Sequence, residues 1–154
     1  MKKLITFVFA LFVLTASAQT STFKKFYKSH KEHSQFSLNI SASMVGSFFN
    51  DEDSDEVADL LKKSGNFKLM VFDNENQEVS KDFKKYIRRN KLKTMVRVKG
   101  DDSKAEFYTL EKNNLIKEII LKANSDDDSL VLLGLKTSMT KEELAKLLSN
   151  SYKI

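Results

Sequence analysis

Cysteine, proline and tryptophan are absent from this 154-residue chain, and glycine occurs only four times. Without cysteine there is no disulfide framework, thiolate metal site, cysteine nucleophile or haem-attachment motif. The glycines Gly46, Gly65, Gly100 and Gly134 stand far apart, so there is no Gly-rich phosphate loop. That argues against nucleotide hydrolysis and dinucleotide cofactors. No stretch is rich in Pro, Gly or Ser, and no repeat is visible, so nothing marks an internal linker. Long apolar runs are also missing. The one candidate, residues 4–14, is apolar except for Thr6. It is too short to span a membrane as a helix, which takes about 20 residues. What is present is ordinary for a folded domain: 41% hydrophobic residues, 31% charged and a formal net charge of +5. This composition excludes a disordered tail, a collagen-like chain and a polytopic membrane protein.

The first eighteen residues read as a leader. Met1-Lys2-Lys3 is a short positive start, residues 4–14 form the apolar centre, and Thr15-Ala16-Ser17-Ala18 ends in an Ala-x-Ala pattern before Gln19. Together they have the layout of a secretory signal peptide. The expectation is export to the periplasm or beyond, with cleavage between Ala18 and Gln19. Residues 19–154 would then be a single domain with no transmembrane segment. A chain of this size buries enough surface to stand without disulfides in an oxidising compartment.

The patterning predicts an α+β fold. Phe23, Phe26 and Tyr27 recur at helical spacing within residues 20–35. Phe36, Leu38 and Ile40 alternate with Ser37, Asn39 and Ser41, which predicts a half-buried strand. Met44, Val45, Phe48 and Phe49 mark a short helix. Val57, Leu60, Leu61 and Ser64 mark another, opened by an acidic run over 51–56 and ended by Gly65 as a left-handed C-cap. Residues 66–72 are strand-like. Val79, Phe83, Tyr86, Ile87 and Asn90 lie along an amphipathic helix with Ser80 expected as N-cap.

Four strands then follow over 92–99, 104–110, 115–122 and 129–136. Gly100-Asp101-Asp102-Ser103, Asn113-Asn114 and Ser125-Asp126-Asp127-Asp128 separate them. Links this short predict an antiparallel meander. Residues 130–135 of the last strand are apolar on both faces apart from Gly134, so that strand is expected to be central. Thr140 and Glu143 form a capping box, and Met139 and Leu144 a hydrophobic staple, at the start of the final helix. The expected architecture is α+β: a mostly antiparallel sheet with a four-strand C-terminal meander and helices packed on one face.

Catalytic signatures are sparse. His30 and His33 are the only histidines; on a helix they face one way. No further spaced cluster completes the three or four ligands of a zinc site. There is no Gly-x-Ser-x-Gly elbow. Asp51, Asp53 and Asp55 match the opening of a calcium loop, but Glu56 stands where glycine is needed and Lys62 where glutamate is needed. Capping and surface charge account for that run, and the acidic turn Asp126-Asp127-Asp128 is ordinary. No catalytic, cofactor-binding or metal residue is therefore assigned.

The densest basic stretch is Lys81, Lys84, Lys85, Arg88, Arg89, Lys91 and Lys93. On the expected helix its cations form a solvated face. The five residues Lys81, Lys84, Lys85, Arg88 and Arg89 are the candidate surface for an anionic partner: an acidic protein, lipopolysaccharide or phospholipid headgroups. Phe83 and Tyr86 sit at core-facing spacing, and export argues against nucleic acid as the partner.

The order of motifs resembles the domain-of-unknown-function 4252 family, small exported proteins mainly of Bacteroides-type bacteria. The resemblance rests on Phe23-Lys24-Lys25-Phe26-Tyr27, then Phe36-Ser37-Leu38-Asn39-Ile40-Ser41, Met44 and Phe48-Phe49. The acidic run before Val57-Ala58-Asp59-Leu60-Leu61, the turn-linked strands and a final Thr-Lys-Glu-Glu-Leu helix complete it. It implies an envelope location near extracytoplasmic sigma-factor signalling, and no site residues. Many members carry a lipid-bearing cysteine, which this chain lacks. The expected function is a non-enzymatic envelope interaction module; the alternative is a periplasmic small-ligand carrier.

Overall fold

A computed structural model describes residues 22–45, 64–125 and 128–151 of the protein. The leader over 1–18, its cleavage point, Phe48, Phe49, the acidic run over 51–56, the helix carried by Val57, Leu60 and Leu61, and Asp126 and Asp127 lie outside those residues.

Helix α1 (Thr22–His30) runs into a 3-10 turn (Lys31–His33) and then strand β1 (Phe36–Ser41). One helical turn (Ala42–Val45) follows β1. After it come β2 (Asn66–Asp73), helix α2 (Glu78–Asn90), β3 (Lys93–Lys99), β4 (Ser103–Lys112), β5 (Leu115–Ser125), β6 (Ser129–Met139) and helix α3 (Lys141–Ser151). The six strands form one sheet in the order β1-β2-β6-β5-β4-β3, and every neighbouring pair is antiparallel. The C-terminal strands make the expected meander. β6 lies inside the sheet because β2 pairs with its free side, Phe67 opposite Leu135 through Asp73 opposite Ser129.

Turn chemistry explains the tight links. Asn113 and Asn114 both take positive φ, 54° and 60°. That left-handed pair matches the twist of a two-residue hairpin, and asparagine tolerates it. The β3–β4 hairpin is closed by the Gly100 N–H donating to Ser103 O at 2.8 Å.

Alternation along each strand splits the sheet into two faces. On one face Met70, Phe72, Ile120, Leu130, Leu132 and Tyr108 meet Phe23, Phe26 and Tyr27 of α1 and Phe83 and Tyr86 of α2 in the main core. Phe83 stands edge-on to Tyr108 at 5.8 Å and to Phe26 at 5.6 Å, the arrangement the ring quadrupoles favour. A smaller cluster of Ile116, Met139 and Leu144, with Ile119 and Leu147 against it, closes the end of β5 and β6 under α3. The capping box forms as expected. The Glu143 N–H donates to the Thr140 hydroxyl at 3.2 Å, and the Thr140 N–H to the Glu143 carboxylate at 2.8 Å. The staple pair Met139 and Leu144 shares the small cluster.

Three local expectations are corrected. Ser80 is not an N-cap: α2 begins at Glu78 behind Gln77, which takes φ 53°, and Ser80 is buried inside the helix. The cause is the Asn74–Gln77 reversal, where Gln77 N–H donates to Asn74 O at 2.9 Å and starts the helix early. Gly65 is not a left-handed cap, since no described glycine has positive φ; its N–H donates to Lys136 O at 2.8 Å, tying the entry of β2 to β6. β1 is a strand but not half-buried along its length. As the outermost strand it leaves Phe36 51% and Leu38 39% exposed.

Candidate functional site

The position of the basic stretch follows from how α1 and α2 are held. Gly134 of β6 lies under α1, and a Cβ there would overlap the Phe23 ring. The bare backbone is what lets the helix approach the sheet so closely. Glu118 of β5, 3% exposed, anchors the start of α1. Its Oε2 accepts the Phe23 N–H at 3.2 Å, the Thr22 hydroxyl at 2.9 Å and the Tyr86 hydroxyl at 3.4 Å. A carboxylate at a helix N-terminus satisfies an orphan N–H and meets the positive end of the dipole. Burial, reinforced by the Glu118 charge, pushes the Tyr86 phenol well up, which keeps it a donor.

With Phe83 and Tyr86 turned inward, α2 turns Lys81, Lys84, Lys85, Arg88 and Arg89 outward, and all five are exposed. The structure thus brings the five candidate residues onto one helix face. α1 lies beside it and adds Lys24, Lys25 and Lys28, also exposed. Among the described residues, Asp82 is the acid that answers this group: its carboxylate accepts Lys85 Nζ at 3.0 Å. Lys25, Lys28, Lys81, Lys84, Arg88 and Arg89 have no carboxylate within 4.0 Å among the described residues.

A cleft of about 670 Å³ opens between the two helices, lined by Lys25, His30, Asp82, Lys85, Arg89 and Tyr86 among others. His30 stacks on Phe26 with ring centroids 4.0 Å apart. Its Nδ1 lies 3.0 Å from Phe26 O and its Nε2 3.4 Å from Asp82 Oδ2. The Ser29 hydroxyl lies 3.3 Å from the same Nδ1. Hydrogen bonds from Lys85 and His30 hold the Asp82 carboxyl below the usual carboxylate range. His33 sits exposed in the 3-10 turn. No group of three His, Asp or Glu side chains among the described residues is placed to hold a metal ion.

The sheet under the helices continues the positive charge. Lys68 of β2, 7% exposed, donates to Asn39 Oδ1 at 2.7 Å and lies 5.5 Å from the centre of the Tyr27 ring. Burial lowers its pKa, and Lys24, Lys136 and Lys28 push it the same way. On β4, Glu106 gathers Arg97 and Lys104 at 3.1 Å each, the Tyr108 hydroxyl at 3.0 Å, and Lys122 at 3.9 Å. Burial raises the Glu106 pKa, but the bonds from Lys104 and Tyr108 outweigh it and the net shift is down. Burial likewise lowers Lys122, with Lys104 and Lys84 adding to that and Glu106 opposing. Sequence reasoning missed Lys25, Lys28, Lys68 and Lys122. Lys24-Lys25 and Lys28 were visible at helical spacing, but nothing local puts α1 beside α2.

No helix among the described residues is long and apolar enough to cross a membrane. Residues 26–147 match the model of a family described as "Domain of unknown function (DUF4252)". Neither a curated protein nor a solved structure matches the chain.

Proposed function

We propose, for a chain that belongs to the DUF4252 family, that it is an exported, non-enzymatic interaction module of the bacterial envelope. In this reading the α1–α2 layer engages an anionic surface. The observation that carries it is the cationic layer itself: Lys25, Lys28, Lys81, Lys84, Arg88 and Arg89 share one side of the molecule without a carboxylate in reach among the described residues. Such a field raises the local concentration of an anionic partner and orients its approach, and salt screens it. Delivery to the envelope rests on the leader read in residues 1–18.

The test is attachment to anionic phospholipid vesicles against neutral phosphatidylcholine vesicles. Reversing Lys84, Lys85, Arg88 and Arg89 to glutamate should abolish retention on the anionic vesicles while leaving the melting temperature near its original value. Retention unchanged by the four reversals overturns the reading, and intact chain in the cytosolic fraction of its host overturns the location.

The cleft between α1 and α2 favours a second reading, a small-ligand carrier. Native mass spectrometry after gentle purification separates the two, because a stoichiometric copurifying small molecule belongs only to the carrier.

A further inference from the structure

The two edges of the sheet are built differently. β3 carries Lys93, Arg97 and Lys99, and its register with β4 shifts between Thr94 and Val96. Charges and a bulge are how natural sheets keep an edge strand from pairing with another chain. β1 has neither device. Its six residues, Phe-Ser-Leu-Asn-Ile-Ser, are uncharged. Its register with β2 runs unbroken from Phe36 opposite Val71 to Ser41 opposite Asn66. Among the described residues no strand pairs with its outer side.

We propose that β1 is a strand-pairing edge and that its occupant is β1 of a second copy of this chain, antiparallel about a two-fold axis. Uncharged β1 can meet itself without like-charge repulsion between the two strands. Centred on Leu38, the pairing sets Leu38 against Leu38, Phe36 against Ile40 and Ser37 against Asn39. Apolar side chains then meet apolar ones on one face, and small polar ones meet on the other, which is what stabilises cross-strand pairs. The same operation on β3 would bring Lys93 against Lys99 and is opposed by like charge. A two-fold axis also makes the contact close on itself, so it ends at a dimer instead of propagating. Phe36 and Leu38, exposed in the single chain, would lie between Val71 and Leu69 of their own β2 and the matching residues of the second copy. The inference rests on the edge of β1 and does not use the cations of α1 and α2.

Sedimentation equilibrium of the purified protein tests it. The unaltered chain should be dimeric in the micromolar range. Leu38→Lys and Leu38→Glu should each weaken the dimer at least tenfold, and an equimolar mixture of the two should restore it, since the opposed pair becomes Lys against Glu. Val98→Lys, on the other edge, should leave the dimer intact. Should either Leu38 variant fail to fold by circular dichroism, the double variants Phe36→Lys/Ile40→Lys and Phe36→Glu/Ile40→Glu give the same readout, since each sets like charges opposite one another alone and opposite charges when mixed. A monomeric unaltered chain overturns the proposal. So does a dimer that survives both Leu38 variants, a mixture that stays monomeric, or a dimer lost on Val98→Lys.

Discussion

The face of the sheet beneath α1 and α2 and the face behind it are made from alternate residues of the same six strands. Beneath the helices, Met70, Phe72, Leu132 and Ile120 are sealed in the core, while Lys68, Glu106, Glu118 and Lys122 share that face and are almost as buried. Behind it, Phe67, Leu69, Val71, Val131, Leu133, Ile119 and Leu121 are apolar and only half-buried. Toward the edges that face opens further, with Phe36 51%, Leu38 39% and Val98 51% exposed. The covered face therefore holds most of the buried charge, and the less covered face is the more uniformly apolar. Fixed partners permit this: α1 and Tyr86 answer Glu118, Asn39 and Tyr27 answer Lys68, and Glu106 and Lys122 answer each other with Arg97, Lys104 and Tyr108 of the strands. A carboxylate or ammonium can be buried where a helix N-terminus, a tyrosine or an opposite charge is fixed beside it, and not otherwise.

The largest expected effect contrasts the faces directly. Phe83→Ala empties the ring that touches Phe26, Tyr86 and Tyr108 and should cost about 3–5 kcal/mol in urea unfolding. Val98→Ser on the exposed edge of the other face should stay within about 0.5 kcal/mol. Equal costs would break the comparison. Of intermediate size is Glu118→Ala. It leaves the Phe23 N–H and the Thr22 and Tyr86 hydroxyls without their shared acceptor and should cost about 2 kcal/mol. Hydrogen exchange should show the start of α1 losing protection before the strands do. A uniform loss across the sheet would mean that Glu118 does not anchor α1.

The smallest effect is in pH dependence. Glu106 is held below its ordinary value of 4.5 by Lys104 and Tyr108 against the opposing effect of burial. A carboxyl with a lowered folded-state pKa stabilises the fold above its unfolded value, and that contribution fades as pH falls through the folded value. Unfolding free energy should therefore drop on acidification below pH 4.5. Glu106→Gln should flatten that part of the curve. An unchanged acid limb would remove Glu106 from the account.

Much of this fold was legible locally. The capping box at Thr140 and Glu143, the Asn113-Asn114 turn and the inward stripe of α2 each depend on residues within a few positions of one another. Their chemistry therefore survives any change elsewhere. The meander followed from links too short for anything but antiparallel neighbours. The candidate cations of α2 were found for the same reason: an amphipathic helix must turn its charged residues away from Phe83 and Tyr86. The errors came where distant chain intervened. Ser80 looked like a cap until the reversal at Asn74 started the helix earlier. Gly134 stood in the sequence as one of four scattered glycines, and only the arrival of Phe23 from α1 makes its missing side chain necessary. β1 alternated like a half-buried strand, yet its burial depended on having two neighbours rather than one.

The sequence by itself determined the α+β class, the strand meander, the outward stripe of cations on α2 and the capped start of α3, because periodicity and local hydrogen bonding act over a turn of helix or a tight hairpin. Only the tertiary structure decided that β2 inserts beside β6, that α1 lies along α2 and extends the positive layer, and that β1 and β3 become the edges. Those outcomes depend on which apolar faces bury one another across long stretches of chain, and local spacing carries no record of that choice.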